Sequence, residues 1–159
     1  MEDQFIDKIV AEVHEAAVGR RVGRIIPLGR DRLAIDLRSG DGRFLFMSCE
    51  PSAPRIYLIE RRLRDLEKAA ANPTPFVQLI RSRLIGAAVR TVERLPNERV
   101  VMFQLDAADE LGRSSSFSLV AQLTGRSANI LLLDDNGLII ESMRETRGRG
   151  QQKGDRYAP

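Results

Sequence analysis

The chain changes its hydrophobic period three times, and that sequence of periods limits what it can fold into. Residues 4–18 set Ile6, Ile9, Val10, Val13 and Ala17 on one helical face, with Asp7, Glu12 and Glu15 on other sides, and Gly19 follows as a natural stop. Alternation then takes over. Val22, Ile25 and Ile26 run to a break at residues 27–29, and Leu33, Ile35 and Leu37 alternate with Ala34, Asp36 and Arg38. The turn Ser39-Gly40-Asp41-Gly42 leads into Phe44-Leu45-Phe46-Met47, so these are consecutive strands of a meander. Pro51 and Pro54 interrupt any ladder before a short run at Ile56-Tyr57-Leu58.

Helical signals return in the middle. Residues 59–71 are rich in helix formers and end at Asn72-Pro73, since the residue before proline is pushed out of the helical region. Thr74-Pro75 then supplies a cap and a first-turn proline, and Phe76, Leu79, Ile80 and Leu84 form one apolar face before Gly86. Five strand-like stretches follow, at residues 88–94, 99–105, 116–124, 128–133 and 138–143. Between the last two, Asp134-Asp135-Asn136-Gly137 carries the Asn-Gly pair of a type I′ hairpin turn. Runs of strands beside runs of helices predict an α+β class. Residues 144–159 differ in kind: five cations stand against Glu145 and Asp155, glycines recur at 148, 150 and 154, and little is apolar. This stretch reads as a flexible basic tail or linker, either an arm that neutralises phosphates or a solvated connection. The domain proper is then 1–143.

The side-chain inventory removes most enzyme chemistry. With one histidine, His14, one cysteine, Cys49, and no tryptophan, no Cys/His metal set can be drawn and no nucleophile has a base in sight. His14 reads as a solvated helix residue and Cys49 as a core thiol. The paired carboxylates at Glu2/Asp3, Asp134/Asp135 and Asp106/Asp109/Glu110 sit at helix starts or turns, where acids cap backbone donors. Gly29-Arg30-Asp31 and Gly40-Asp41-Gly42 lack the lysine or third glycine of a phosphate loop and read as hairpin turns. No cofactor or metal is expected. The start of the chain lacks a signal-peptide pattern and no apolar run approaches a membrane span, so the expectation is a cytoplasmic protein with no membrane partner.

Charge points elsewhere. Of 25 basic residues only Lys8, Lys68 and Lys153 are lysine, which leaves 22 arginines in a chain of 159 residues and net charge +3. Arginine's planar fork suits phosphates and bases, although codon usage in a GC-rich genome gives the same bias. Gly125-Arg126-Ser127-Ala128-Asn129 interrupts an apolar strand pair with a glycine and a cation, which reads as a turn first and an anion or RNA contact second.

Several stretches, in order over nearly the whole chain, resemble the N-terminal domain of NFACT proteins, also called fibronectin-binding-protein-A-like or Rqc-type ribosome quality-control proteins. They are Arg24-Ile25-Ile26-Pro27-Leu28-Gly29, Phe44-Leu45-Phe46-Met47-Ser48, Pro54-Arg55-Ile56-Tyr57-Leu58, Pro73-Thr74-Pro75-Phe76 with Leu79-Ile80-Arg81 and Leu84-Ile85-Gly86, Leu95-Pro96-Asn97-Glu98-Arg99, residues 119–129, Asp134-Asp135-Asn136-Gly137 with Ile139-Ile140-Glu141-Ser142, and Gly154, Tyr157 and Pro159. The resemblance implies a β-sandwich with flanking helices, similar to the N-terminal domain of formamidopyrimidine-DNA glycosylase. That enzyme's catalytic N-terminal proline is missing, since Met1 precedes Glu2, so glycosylase activity is expected to be absent.

The same resemblance implies binding to tRNA, to peptidyl-tRNA and to the large ribosomal subunit with its rRNA, where a stalled nascent chain is extended without a message. In the family an Asp-Arg pair matching Glu98-Arg99 engages tRNA, and an acidic-apolar-Met run before the Gly-Arg reads here Gln122-Leu123-Thr124, with an amide in place of the acid. Nucleic-acid-binding residues are therefore expected at Arg55, Arg81, Glu98, Arg99, Gln122, Leu123, Thr124, Gly125, Arg126 and Asn129. Arg55, Arg81, Arg99 and Arg126 would contact phosphates, while Glu98 and Gln122 would orient or accept from sugar and base groups. Family proteins continue into helical and further RNA-binding portions, so the chain reads as an excised N-terminal domain or a short relative. Two other function classes stay open: a glycosylase-like domain on DNA, and a fibronectin-binding surface adhesin.

Overall fold

A computed structural model describes residues 2–159. The helix α1 (Asp3–Ala17) is followed by four strands, β1 (Ile25–Pro27), β2 (Arg32–Asp36), β3 (Arg43–Ser48) and β4 (Arg55–Glu60). Two helices come next, α2 (Leu63–Lys68) and α3 (Pro75–Leu84), and then five strands: β5 (Ala88–Arg94), β6 (Val100–Ala108), β7 (Ser114–Gln122), β8 (Asn129–Leu133) and β9 (Ile139–Ser142). Each run of strands is an antiparallel meander in chain order, one four-stranded and one five-stranded. The chain is a two-sheet α+β sandwich.

Alternation along the strands decides which side faces in. Leu33, Ile35, Leu45, Met47 and Ile56 of the first sheet are buried in one cluster with Val101, Phe103, Leu105, Leu119, Ala121, Ile130 and Leu132 of the second. Helix α1 adds Ile6, Val13 and Ala17, and α3 adds Phe76, Val77, Ile80 and Leu84. Burying such side chains stabilises by about 1.5–3 kcal/mol each relative to exposure. Thr74 caps α3 as the sequence suggests, its Oγ1 accepting from the Val77 amide at 3.2 Å, with Pro75 at the first helical position.

Both outer faces are also partly covered. On the first sheet Ile26, Ala34 and Phe44 lie beneath Leu66 of α2. The sequence predicts a helix from residue 59, yet Ile59 and Glu60 complete β4, where Ile59 pairs with Phe44. A β-branched side chain that fills the outer cluster overrides the helix-forming tendency of the residues after it.

On the second sheet the outer cluster is Val100, Val120, Leu131, Leu133 and Ile139, and Tyr157 packs against it. Residues 144–159 are therefore not the flexible tail that their composition suggests. Ile139 donates to the Asp155 carbonyl at 2.9 Å, Gly154 to Ile139 at 2.8 Å and Tyr157 to Gly137 at 3.0 Å, and Leu138 bridges Arg156. Polar side chains lock the same segment. Gln122 Nε2 donates to Gln151 Oε1 at 3.0 Å, and the Tyr157 hydroxyl donates to Gln122 Oε1 at 2.7 Å. The segment finds its partners on the sheet, which glycine content cannot reveal.

The β8–β9 turn also differs from expectation. Type I′ needs positive φ at two central residues, but here only Gly137 has it, at 80°. Asp134 Oδ1 accepts from Asn136 N at 2.8 Å and Leu138 N at 3.0 Å, and Gly137 N donates to the Asp134 carbonyl at 3.1 Å. This is a three-residue hairpin loop with a left-handed glycine at its end.

Candidate nucleic-acid interface

Two connections of the second sheet meet at one end of the sandwich. In the β5–β6 connection, Glu98 N donates to the Leu95 carbonyl at 3.2 Å and Leu95 N to the Val100 carbonyl at 2.9 Å. Pro96 holds the second position and Asn97 the third at φ 61°, the residue types of a type II turn, in which asparagine tolerates the left-handed region. The turn leaves Glu98 and Arg99 exposed. In the β7–β8 connection a single 3-10 turn, Gly125–Ser127, begins at Gly125 with φ 72°. There Thr124 Oγ1 and Ser127 Oγ lie 2.6 Å apart. The Leu123 amide donates to the Arg99 carbonyl at 2.7 Å, which joins the two connections.

The charges at this end are organised, not scattered. Arg94 is largely buried and donates from Nε to the Glu98 carbonyl at 2.8 Å. Its terminal nitrogens reach Asp7 at 2.9 Å and Asp3 at 3.1 Å, at the start of α1. The Asp7 carboxylate above all, with help from Asp3, holds the Arg94 guanidinium protonated beyond its usual range. Arg99 Nε donates to Asp3 at 3.3 Å, and about half of the Arg99 side chain stays exposed. Arg126 is exposed, and among the described residues no carboxylate pairs with it. Arg144 supports that turn from beneath, donating to the carbonyls of Ala128 at 2.7 Å and Arg126 at 3.2 Å.

The expected site residues thus divide into three groups. Glu98, Arg99 and Arg126 are exposed and lie on the two linked connections, with Thr124 and Gly125 half-buried between them. Gln122, Leu123 and Asn129 are buried, which corrects the ligand contacts expected of them. Gln122 is held internally by Ser127, Gln151 and Tyr157. The Asn129 amide donates to the Arg144 carbonyl at 3.0 Å and its oxygen accepts from the amides of Ile130 and Arg144. These two amides build the turn.

Arg55 and Arg81 form the third group, because among the described residues no hydrogen bond or ion pair joins either to Arg99 or Arg126. The Arg55 guanidinium lies 5.2 Å over the Phe46 ring on the outer face of the first sheet, and Phe46 and Tyr57 stand 5.1 Å apart. Arg81 donates from α3 to the Ile25 carbonyl at 2.9 Å, beside a cleft of ≈ 370 Å³ that it shares with Arg24 and Glu67.

Elsewhere the chemistry is quiet. Cys49 is fully buried, and burial pushes its thiol up to about 12, with the Asp31 charge adding to the effect and Arg144 opposing it. That is a core thiol, not a nucleophile. Among the described residues no three His, Cys, Asp or Glu side chains gather as metal ligands, and no helix is long and apolar enough to cross a membrane. The sequence does not mark Asp3, Asp7, Arg94 and Arg144 as parts of this site. Local spacing carries no mark of contacts between segments distant in sequence.

Together these features define a small two-sheet module with exposed arginines on joined turns. The chain belongs to the NFACT family, whose model for the NFACT N-terminal and middle domains matches residues 3–157. It is 28% identical over 131 residues to the Rqc2 homolog RqcH of Streptococcus pneumoniae serotype 2 (strain D39 / NCTC 7466), covering 82% of this chain and 23% of that protein. To the Rqc2 homolog RqcH of Bacillus subtilis (strain 168) it is 23% identical over 135 residues, covering 84% and 23%. The chain therefore spans less than a quarter of the length of these curated relatives. Among solved structures, the N-terminal domain of the fibronectin-binding protein PavA from Streptococcus pneumoniae superposes with a TM-score of 0.86 at 25% identity, covering 98% of this chain and 60% of that one. The N-terminal part of the fibronectin/fibrinogen-binding protein of Streptococcus suis shares the fold, with a TM-score of 0.84 at 22% identity over 98% and 59%.

Proposed function

We propose that this chain is an RNA-binding part of a ribosome-associated quality-control factor, one that meets tRNA, peptidyl-tRNA and the large ribosomal subunit and performs no catalysis itself. The observation that carries this reading is the 2.7 Å bond from Leu123 N to the Arg99 carbonyl, which sets Arg99 and Arg126 on one joined pair of turns. Exposed guanidiniums on a joined pair of turns suit the phosphates of a folded RNA backbone better than a face of stacked bases. Glu98 beside Arg99 supplies an acceptor for sugar hydroxyls or base amines. The RqcH name of the relatives supports the ribosomal setting.

Fibronectin binding is the second reading, favoured by the names of the structural neighbours. Affinities for tRNA, duplex DNA and fibronectin, measured side by side for the wild type and the Glu98→Ala/Arg99→Ala variant, separate the two. Tight tRNA binding lost in the variant is the expected result. Fibronectin binding with no preference for tRNA overturns it.

A further inference from the structure

Arg94 occupies an unusual position for an arginine on an edge strand. Its side chain is 16% exposed, while the two carboxylates it meets, Asp3 and Asp7, are each 67% exposed. Three residues from two elements, the β5–β6 turn and α1, converge on that one guanidinium. Nε donates to the Glu98 carbonyl at 2.8 Å, within the turn that displays Glu98 and Arg99. One terminal nitrogen donates to Asp7 Oδ1 at 2.9 Å and to the Asp3 carbonyl at 3.2 Å, and the other donates to Asp3 Oδ1 at 3.1 Å. That same Asp3 oxygen accepts from Arg99 Nε at 3.3 Å. Arg94 therefore holds the turn from its backbone side and, through Asp3, holds the base of the Arg99 fork.

The consequence concerns the direction of Arg99. With Nε fixed on Asp3, its two terminal nitrogens make no hydrogen bond among the described residues and are left for an incoming anion. Without Arg94, Asp7 would lose its ion-pair partner and Asp3 would keep only Arg99, so the two carboxylates would both repel a phosphate and draw the Arg99 fork onto themselves. A lysine at this place would keep the charge but could not satisfy a carbonyl and two carboxylates in one plane.

We propose that Arg94 is a positioning residue for RNA recognition, clasping the start of α1 to the β5–β6 turn so that the free ends of Arg99 meet an RNA phosphate. This rests on the RNA-binding reading above. The test is a double-mutant cycle on tRNA binding with Arg94→Lys, Arg99→Ala and the combined variant, at several salt concentrations and well below each variant's unfolding midpoint. Arg94→Lys should weaken binding by about tenfold, the size of one charge-assisted contact. The slope of log K against log salt should fall by about 0.7–0.9, as for one lost phosphate. The combined variant should bind no worse than Arg99→Ala alone, because both changes remove the same contact. A merely structural role would give losses that add, and that result overturns the proposal while leaving the RNA-binding reading intact. If the wild type does not bind tRNA, the reading fails and takes the proposal with it. Should Arg94→Lys not fold, Asp7→Asn carries the cycle. It removes one anchor of the clasp and should show a smaller loss that is likewise absent in the Arg99→Ala background, whereas an additive loss overturns the clasp.

Discussion

Replacing Gln122 with leucine asks whether the C-terminal segment is part of the fold or an appendage. The substitution keeps roughly the size of the side chain and puts an apolar group into a site that is only 2% exposed, so cavity and transfer effects are small. It strips partners from three groups at once. The Ser127 carbonyl loses a 2.6 Å bond, the Tyr157 hydroxyl loses a 2.7 Å bond, and Gln151 loses an exchange at 3.0 and 3.2 Å. Each buried polar group left without a partner costs about 1–3 kcal/mol. Ser127 is an exposed residue, Gln151 keeps its bond to the Ala158 carbonyl, and Tyr157 is exposed enough to recruit water, so the low end applies to all three. The sum is about 3 kcal/mol, which for a domain of this size lowers the unfolding midpoint by roughly 10 °C. Thermal unfolding followed by circular dichroism measures it, and Tyr157→Phe provides the graded control at about 1 kcal/mol. An unchanged midpoint for Gln122→Leu would refute the polar lock and return residues 144–159 to a loosely attached tail.

Other expectations follow from single contacts. Cys49, fully buried with its thiol pushed up to about 12, should react with a thiol reagent at pH 8 only as fast as the domain opens; rapid labelling of the native protein would contradict the core placement. Thr74→Ala removes the acceptor for the Val77 amide and should cost about 1 kcal/mol in denaturant unfolding, whereas no loss would mean the cap contributes nothing. Asp41 is held down to about 2, against 3.8 for an unperturbed carboxyl, first by the Ser39 hydroxyl and then by Arg43. A depressed carboxyl stabilises the fold above its unfolded pKa and loses that contribution as pH falls from about 4 towards 2, so Asp41→Asn should flatten the stability profile in that window. A profile identical to wild type would refute the assignment.

How much of this was legible before the structure depends on the range of the interactions. The strands of both meanders follow from period-two alternation and short turns, and α1 and α3 from helical spacing with a visible stop and cap. The sequence puts residue 59 in a helix because helix propensity is a local signal, while the pairing of Ile59 with Phe44 is not. The run Ile130-Leu131-Leu132-Leu133 held an unread clue: four consecutive apolar residues require both faces of β8 to be covered, and only one face meets the other sheet. The cover for the second face is the segment that composition marks as a solvated tail. At the site, Arg126 and Asn129 are marked by the glycine and small polar residues of their turn, whereas Glu98, Arg99 and Gln122 are marked only by the family resemblance. Polarity near a turn does not say whether an amide such as that of Gln122 or Asn129 faces solvent or builds the turn. Arg94 and Asp3 are 91 residues apart, and no local pattern joins them.

The central claim is that exposed arginines on the joined β5–β6 and β7–β8 connections engage RNA through its phosphates. Its most direct test is the salt dependence of tRNA affinity for the wild type against Arg99→Ala/Arg126→Ala. Each lost phosphate contact lowers the slope of log K against log salt by about 0.7–0.9, so the double variant should bind at least tenfold more weakly with a slope reduced by about 1.5. Equal slopes and equal affinities for the two proteins would contradict the account and send the search for an RNA surface to other faces of the sandwich.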